Sequence, residues 1–162
     1  MNSTDAVSVL GSTTPLPGPS ATVAATQADG RVYAIAPSFA PDRIFCADVA
    51  ADGSLAPWRE SGRMPYARTR PSAIIVHGFL YVLGGSVDPE PTVLIGRVDS
   101  ATGAVDSWVA DPADSFARHL ANPAVLFRND RLYVFGSSGD SSASPLQTAE
   151  IDPATGRPKP WR

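Results

Sequence analysis

The stretch GFLYVLGG, Gly78 to Gly85, runs a short aromatic and aliphatic segment into two adjacent glycines. Continuous apolar runs of this length, bounded by turn residues, read as buried strands. Two relatives stand elsewhere in the chain, GRVYAIAP from Gly30 and DRLYVFGS from Asp130. Their tyrosines, Tyr33, Tyr81 and Tyr133, lie 48 and 52 residues apart, and Trp58, Trp108 and Trp161 follow at 50 and 53. Two independent markers with one common step define three internal repeats of about fifty residues.

The repeats agree between the markers as well. A glycine stands five residues before each tryptophan, in GSLAPW (Gly53), GAVDSW (Gly103) and GRPKPW (Gly156). Ahead of each glycine lies a β-favouring segment, RIFCADV, TVLIGRV or LQTAEI, and ahead of each tyrosine another, SATVAATQ, PSAIIVH or NPAVLFR. Each repeat therefore holds four strands. The first two are joined by two-residue turns, Asp29-Gly30, His77-Gly78 and Asn129-Asp130, whose residue types accept the positive φ of a tight hairpin. The last two are joined by AADG, SATG or PATG. The expected architecture is all-β, with antiparallel four-stranded units.

Composition fits that architecture. The 162 residues are 43% hydrophobic, enough for a core, and 13 glycines with 16 prolines favour many turns over long helices. A net charge of −3 lacks the basic footprint of a nucleic-acid binder, so no nucleic-acid partner is expected. Twelve of the thirteen cations are arginines, the exception being Lys159. Arginine suits planar, bidentate pairing with carboxylates or phosphates, although a biased genome would also explain the excess. A single cysteine, Cys46, rules out an internal disulfide, and with only His77 and His119 no metal or other cofactor is expected. No apolar run reaches the ~18 residues of a membrane span. The start, MNSTDAVSVLGSTTPLPG, has no export-signal pattern, so a soluble and by default cytoplasmic chain is expected.

A four-stranded unit repeated every fifty residues is the sequence form of a propeller blade. The chain resembles kelch-repeat β-propellers of the bacterial kelch-like type. The second repeat carries the resemblance best, through MPYARTRPSAIIVHGFLYVLGG and IGRVDSATGAVDSW, with Arg68, Gly78, Tyr81, Gly84-Gly85 and Trp108 in the pattern positions. The first repeat ends its second strand on Ala36-Pro37 and the third on Gly136-Ser137, so the glycine pair survives once. The resemblance implies three blades, over 18–65, 66–116 and 117–162, with 1–17 holding a strand left over from, or completing, another blade. The candidate for that strand is AVSVL, residues 6–10. It also implies that the paired glycines serve close backbone approach, that Tyr33, Tyr81 and Tyr133 are structural, and that Trp58, Trp108 and Trp161 pack between blades.

Closed propellers have four to eight blades, and three are read here. A homo-oligomer or a larger propeller containing this chain is therefore expected. Function is expected on the face formed by the loops between second and third strands and by the segments linking repeats. Candidate binding residues there are Arg43, Arg68, Arg70, Asp88, Glu90, Arg118, His119 and Asp140. The expected partner is a protein, a peptide or a small acidic ligand held by arginine forks. No catalytic constellation is identifiable. A sugar-active propeller enzyme of the sialic-acid-isomerising type is the alternative, with His119, Asp88 or Glu90 as acid and base. A purely structural oligomer building block is the third reading. A copper sugar oxidase is not expected, because Cys46 inside a strand, His77 in a tight turn and His119 on the opposite face would not converge.

Overall fold

The computed structural model describes residues 14–85, 92–115, 120–137 and 146–162. The strand expected over residues 6–10, and Asp88, Glu90, Arg118, His119 and Asp140, lie outside the described residues. The first repeat forms β1 (Ala24–Ala28), β2 (Arg31–Ile35), β3 (Arg43–Asp48) and β4 (Arg59–Arg63). The second forms β5 (Ser72–Val76), β6 (Phe79–Leu83), β7 (Val93–Val98) and β8 (Val105–Val109). The third forms β9 (Ala121–Arg128), β10 (Arg131–Ser137) and β11 (Leu146–Glu150). Among the described residues the chain is otherwise turns and loops, with one 3₁₀ turn, Pro112–Asp114. Among the described residues no helix is long and apolar enough to cross a membrane.

Strands consecutive in sequence pair antiparallel within each repeat. The tyrosines hold one register throughout: Tyr33 faces Thr26 and Cys46, Tyr81 faces Ile74 and Ile95, Tyr133 faces Leu126 and Thr148. That register follows from the turns. Asp29-Gly30, His77-Gly78 and Asn129-Asp130 all have φ between 49° and 75°, the handedness whose twist matches the flanking strands.

Two features depart from three equal four-stranded units. β4 and β8 meet side by side in parallel through a single pair, Gly62 with Val105, which joins the first two groups in the order β1-β2-β3-β4-β8-β7-β6-β5. The approach needs glycine, since a Cβ on Gly62 would lie 2.4 Å from the Val105 carbonyl oxygen. β1–β8 thus form one eight-stranded sheet, whose two four-stranded halves are called the first and second sheets below, and β9–β11 form a separate three-stranded sheet, the third. The segment 158–162 runs beside β11, through Lys159 N–H to the Glu150 carbonyl and the reciprocal pair of Thr148 and Arg162, but it is not a regular strand. Pro158 and Pro160 lack the N–H groups that a continuous ladder requires.

The cores lie between successive sheets. Tyr33, Ile35, Ile44 and Cys46 of the first sheet pack with Leu80, Val82 and Leu94 of the second. On its other face the second sheet places Tyr81, Leu83, Val93 and Ile95 against Leu132, Val134 and Ile151 of the third. Each fully buried aliphatic side chain contributes about 1.5–3 kcal/mol of transfer free energy, so the sheets hold one another as much as themselves.

The glycine pair sits at such a junction. Gly84 and Gly85 have φ of 62° and 90°. A Cβ on Gly84 would stand 2.4 Å from the Leu120 carbonyl oxygen, and one on Gly85 3.0 Å from that of Thr69. Gly85 N–H donates to the Leu120 carbonyl at 3.0 Å, tying the end of β6 to the lead-in of β9.

Candidate functional site

The first strands of the repeats, β1, β5 and β9, lie next to one another, β1 against β5 and β5 against β9. Polar links hold them in step: Ile75 N–H donates to Thr26 Oγ1 at 3.2 Å, and the Ser72 hydroxyl donates to the Pro123 carbonyl. Their leading ends surround an open cavity of about 350 Å³. Thr22, Arg70 and Asn122 line it, together with Ser20, Ala21, Val23 and Pro71. Thr22, Arg70 and Asn122 each stand eleven residues before their repeat's tyrosine, so one structural position is brought together three times.

The backbone at this position is strained twice. Arg70 has φ of 57° and Asn122 of 46°, and each precedes a proline. Asparagine tolerates the left-handed region, whereas arginine is held there by its surroundings at a cost of about 1–3 kcal/mol. The first repeat reaches the same place by a different device. Ser20 Oγ donates to the Thr22 carbonyl at 2.6 Å, Ser38 N–H donates to Ser20 Oγ at 2.9 Å, and Ala21 N–H donates to Ser38 Oγ at 2.9 Å. The serines thus latch the lead-in of β1 to the loop between β2 and β3.

Chemically the cavity offers donors: an exposed guanidinium, an amide and a hydroxyl. No carboxylate lines it among the described residues. In a chain of net charge −3 this is a local cationic spot, suited to a carboxylate or another anionic acceptor.

The expected arginines separate into three kinds. Arg70 lines the cavity and is exposed. Arg68 is fully buried, with Nη1 3.5 Å from the Gly84 carbonyl oxygen and its backbone N–H donating to the Pro41 carbonyl at 2.8 Å. Its guanidinium is inside the fold, where a ligand does not reach it, and this corrects its expected place on the binding face. Arg43 lies on β3 and pairs with Glu60 on the neighbouring strand at 2.8 Å, away from the cavity. Asn122 and Thr22 are members of the site that composition did not single out. Their signal was the eleven-residue offset from tyrosine.

The tryptophans are half-buried. Trp58 donates its indole N–H to the Thr14 carbonyl at 2.9 Å, Trp161 donates to that of Asp114 at 2.6 Å, and Trp108 stacks over Gly96. Cys46 is buried in β3, and His77 is paired with Asp130 at 2.8 Å. Among the described residues no group of three or more His, Cys, Asp or Glu side chains is placed to hold a metal ion.

All-β sheets stacked through apolar faces, with their first strands adjacent, define the class of fold. A solved structure titled "Structure of YjhT" is similar, with a TM-score of 0.64 and 18% sequence identity over 92% of this chain. The match covers 53% of that other chain, so this chain spans about half its length. At this identity the likeness concerns the fold alone. No family model matches the sequence, and no curated protein matches it.

Proposed function

We propose that the chain is a kelch-like β-propeller segment of three four-stranded blades that works as a binding module for an acidic peptide or protein segment. In this reading the segment 158–162 serves as the outer strand of the third blade, and β1, β5 and β9 line the propeller axis. The observation that supports it is the cavity at the axial mouth, where Thr22, Arg70 and Asn122 converge from three repeats. Variable loops and repeat-linking segments on a rigid sheet scaffold are ordinary recognition equipment. Arg70 supplies the fork for a ligand carboxylate, and Asn122 with Thr22 orients the ligand backbone. The backbone strain at Arg70 is consistent with a side chain held ready before the ligand arrives.

The test is fluorescence anisotropy with labelled peptides rich in aspartate and glutamate, against alanine-rich controls of equal length. A charge-assisted hydrogen bond is worth about 1.5–3 kcal/mol, so Arg70→Ala is expected to weaken acidic-peptide binding about tenfold or more. Arg43→Ala, away from the cavity, is expected to change nothing. Equal binding by wild type and Arg70→Ala, or no preference for acidic peptides, rejects the reading.

A further inference from the structure

We propose that the outward face of the third sheet, built around Arg131, Tyr133, Glu150 and Arg162, is a clamp for the glycine turn 50–53 of a second copy of this chain. The clamp is recognisable because the same chain already closes one. At the first junction Arg31 Nε donates to Asp48 at 2.7 Å, leaving both terminal nitrogens free for the turn 99–103 of the next repeat. Nη1 donates to the Ser100 carbonyl at 2.8 Å and Nη2 to that of Ala101 at 2.8 Å. Arg59, itself paired with Asp48 at 3.0 Å, donates to the Thr102 carbonyl at 2.9 Å. Gly103 lies beneath, with the Arg31 stem 2.8 Å from where its Cβ would be and the Tyr33 hydroxyl 3.2 Å from it. Two arginines set by one carboxylate thus hold three turn carbonyls.

The third sheet carries two arginines and a facing carboxylate in the same register, with the difference that its carboxylate, Glu150, is paired with Lys159 at 2.5 Å. Arg131 precedes Tyr133 as Arg31 precedes Tyr33, it faces Glu150 as Arg31 faces Asp48, and Arg162 follows Trp161 as Arg59 follows Trp58. Arg131 and Glu150 stand 3.7 Å apart. Between them, Lys159 and Arg162 is an open cavity of about 260 Å³ where the first junction holds its turn. The apolar part of the face is equally ready. Phe135 and Leu146 are 42% and 46% exposed, whereas the matching Ile35 with Ile44 and Leu83 with Val93 are fully buried under the next sheet. Leu126, opposite Tyr133, is 61% exposed.

The occupant follows from the glycine turns. Gly103 is covered by Arg31 and Gly156 by Phe79, while a Cβ on Gly53 would meet nothing within 4 Å among the described residues. Residues 50–54 are exposed. Asp52 on that turn brings negative charge toward Arg131 and Arg162, which a guanidinium pair favours. Among the described residues the clamp holds no turn and the turn 50–53 meets no clamp, and the two fit each other between two copies. Under two-fold symmetry both contacts are made twice and the assembly closes as a dimer.

The test is solution mass by light scattering after size exclusion, which does not involve Arg70 or Asn122 and so fails separately from the peptide-binding reading. Wild type is expected at twice the 16.9 kDa of one chain. The Arg131→Glu, Arg162→Glu double variant, and independently Leu126→Lys, are expected as monomers with an unchanged far-ultraviolet dichroism spectrum. In the double variant Asp52→Cys, Arg131→Cys, mild oxidation is expected to give a disulfide-linked dimer that neither single variant gives. A monomeric wild type overturns the proposal, as does a dimer that survives the charge reversals and is not trapped by the cysteine pair.

Discussion

Tyr81 and Gly156 are joined across the junction of the second and third sheets. The phenol donates to the Gly156 carbonyl at 2.6 Å, and the Phe79 ring fills the space a Gly156 side chain would need, its Cγ 2.5 Å from the Cβ position. Arg97 also lies over that ring, 4.8 Å from its centroid. One repeat's second strand thus reads the next repeat's last turn. This is why tyrosine and glycine recur together in the sequence.

The two described junctions use their tyrosines differently, and that difference is measurable. Tyr33 is as buried as Tyr81, but its hydroxyl meets no well-aligned hydrogen-bond partner among the described residues and only sits beside the Arg31 guanidinium. Tyr81→Phe leaves a buried carbonyl without its donor and is expected to cost about 1–2 kcal/mol. Tyr33→Phe loses only the poorly aligned contact with the Arg31 guanidinium and is expected to stay within about 0.5 kcal/mol of wild type. Urea unfolding of both variants checks this, and equal losses would refute it.

Glycines of similar backbone conformation are expected to differ sharply by environment. Gly30 and Gly84 have φ of 72° and 62°, but only Gly84 faces backbone, the Leu120 carbonyl at 2.4 Å. Gly30→Ala is expected to cost about 1–2 kcal/mol, from the left-handed conformation alone. Gly84→Ala adds a displacement of the β9 lead-in and is expected to cost more than about 3 kcal/mol. Thermal unfolding of the pair decides between conformation and close approach as the reason for the glycine doublet.

The last turns of the second and third repeats also govern acid behaviour. Asp99 accepts backbone N–H groups from Ala101 and Thr102, and Asp152 accepts from Ala154 N–H and the Thr155 hydroxyl. The bonds from Thr102 hold the Asp99 carboxyl below its ordinary value, and those from Ala154 and Thr155 do the same for Asp152. Both groups are more acidic folded than unfolded. Their contribution is present above the unfolded value near pH 4 and is lost as pH falls through the folded one. Asp99→Asn with Asp152→Asn is expected to lower stability at pH 7 and to flatten its decline below pH 4. A parallel decline in variant and wild type would refute this.

What was legible in the sequence is what a short stretch specifies alone. The tight turns are written in Asp29-Gly30, His77-Gly78 and Asn129-Asp130, and the strands in the apolar runs around the tyrosines. Contacts between repeats were legible only where a residue type betrays them, as Gly84-Gly85 do. The Gly62–Val105 bridge is carried by a lone glycine in a polar strand, RESGR, which has no distinguishing pattern. The burial of Arg68 was hidden because guanidinium groups ordinarily face water, and here the β2–β3 loop and the end of β6 close over it. Asn122 reaches the candidate site only because β9 lies against β5, a contact that spans a whole repeat.

The ion pair between Arg157 and Asp114 joins the third repeat's last turn to the lead-out of β8, and its worth depends on pH. Arg157 reaches Asp114 at 3.0 Å and Asp111 at 2.7 Å. Burial pushes the Asp114 carboxyl above its ordinary value, and Arg157 offsets part of that rise. An acid raised on folding ionises at a cost to stability as pH rises through its folded value, so the arginine matters most when Asp114 is charged. Arg157→Met is expected to lower stability at pH 7, by less than the loss of a fully buried pair would, because Arg157 is half-exposed. The cost is expected to be smaller at pH 4 than at pH 7, because the raised Asp114 carboxyl is the more readily protonated. Adding Asp114→Asn to Arg157→Met is expected to recover part of the loss at pH 7, because the stranded charge is gone. Urea unfolding of the cycle at both pH values measures the coupling, and a loss that does not vary with pH would show that Arg157 acts through packing alone.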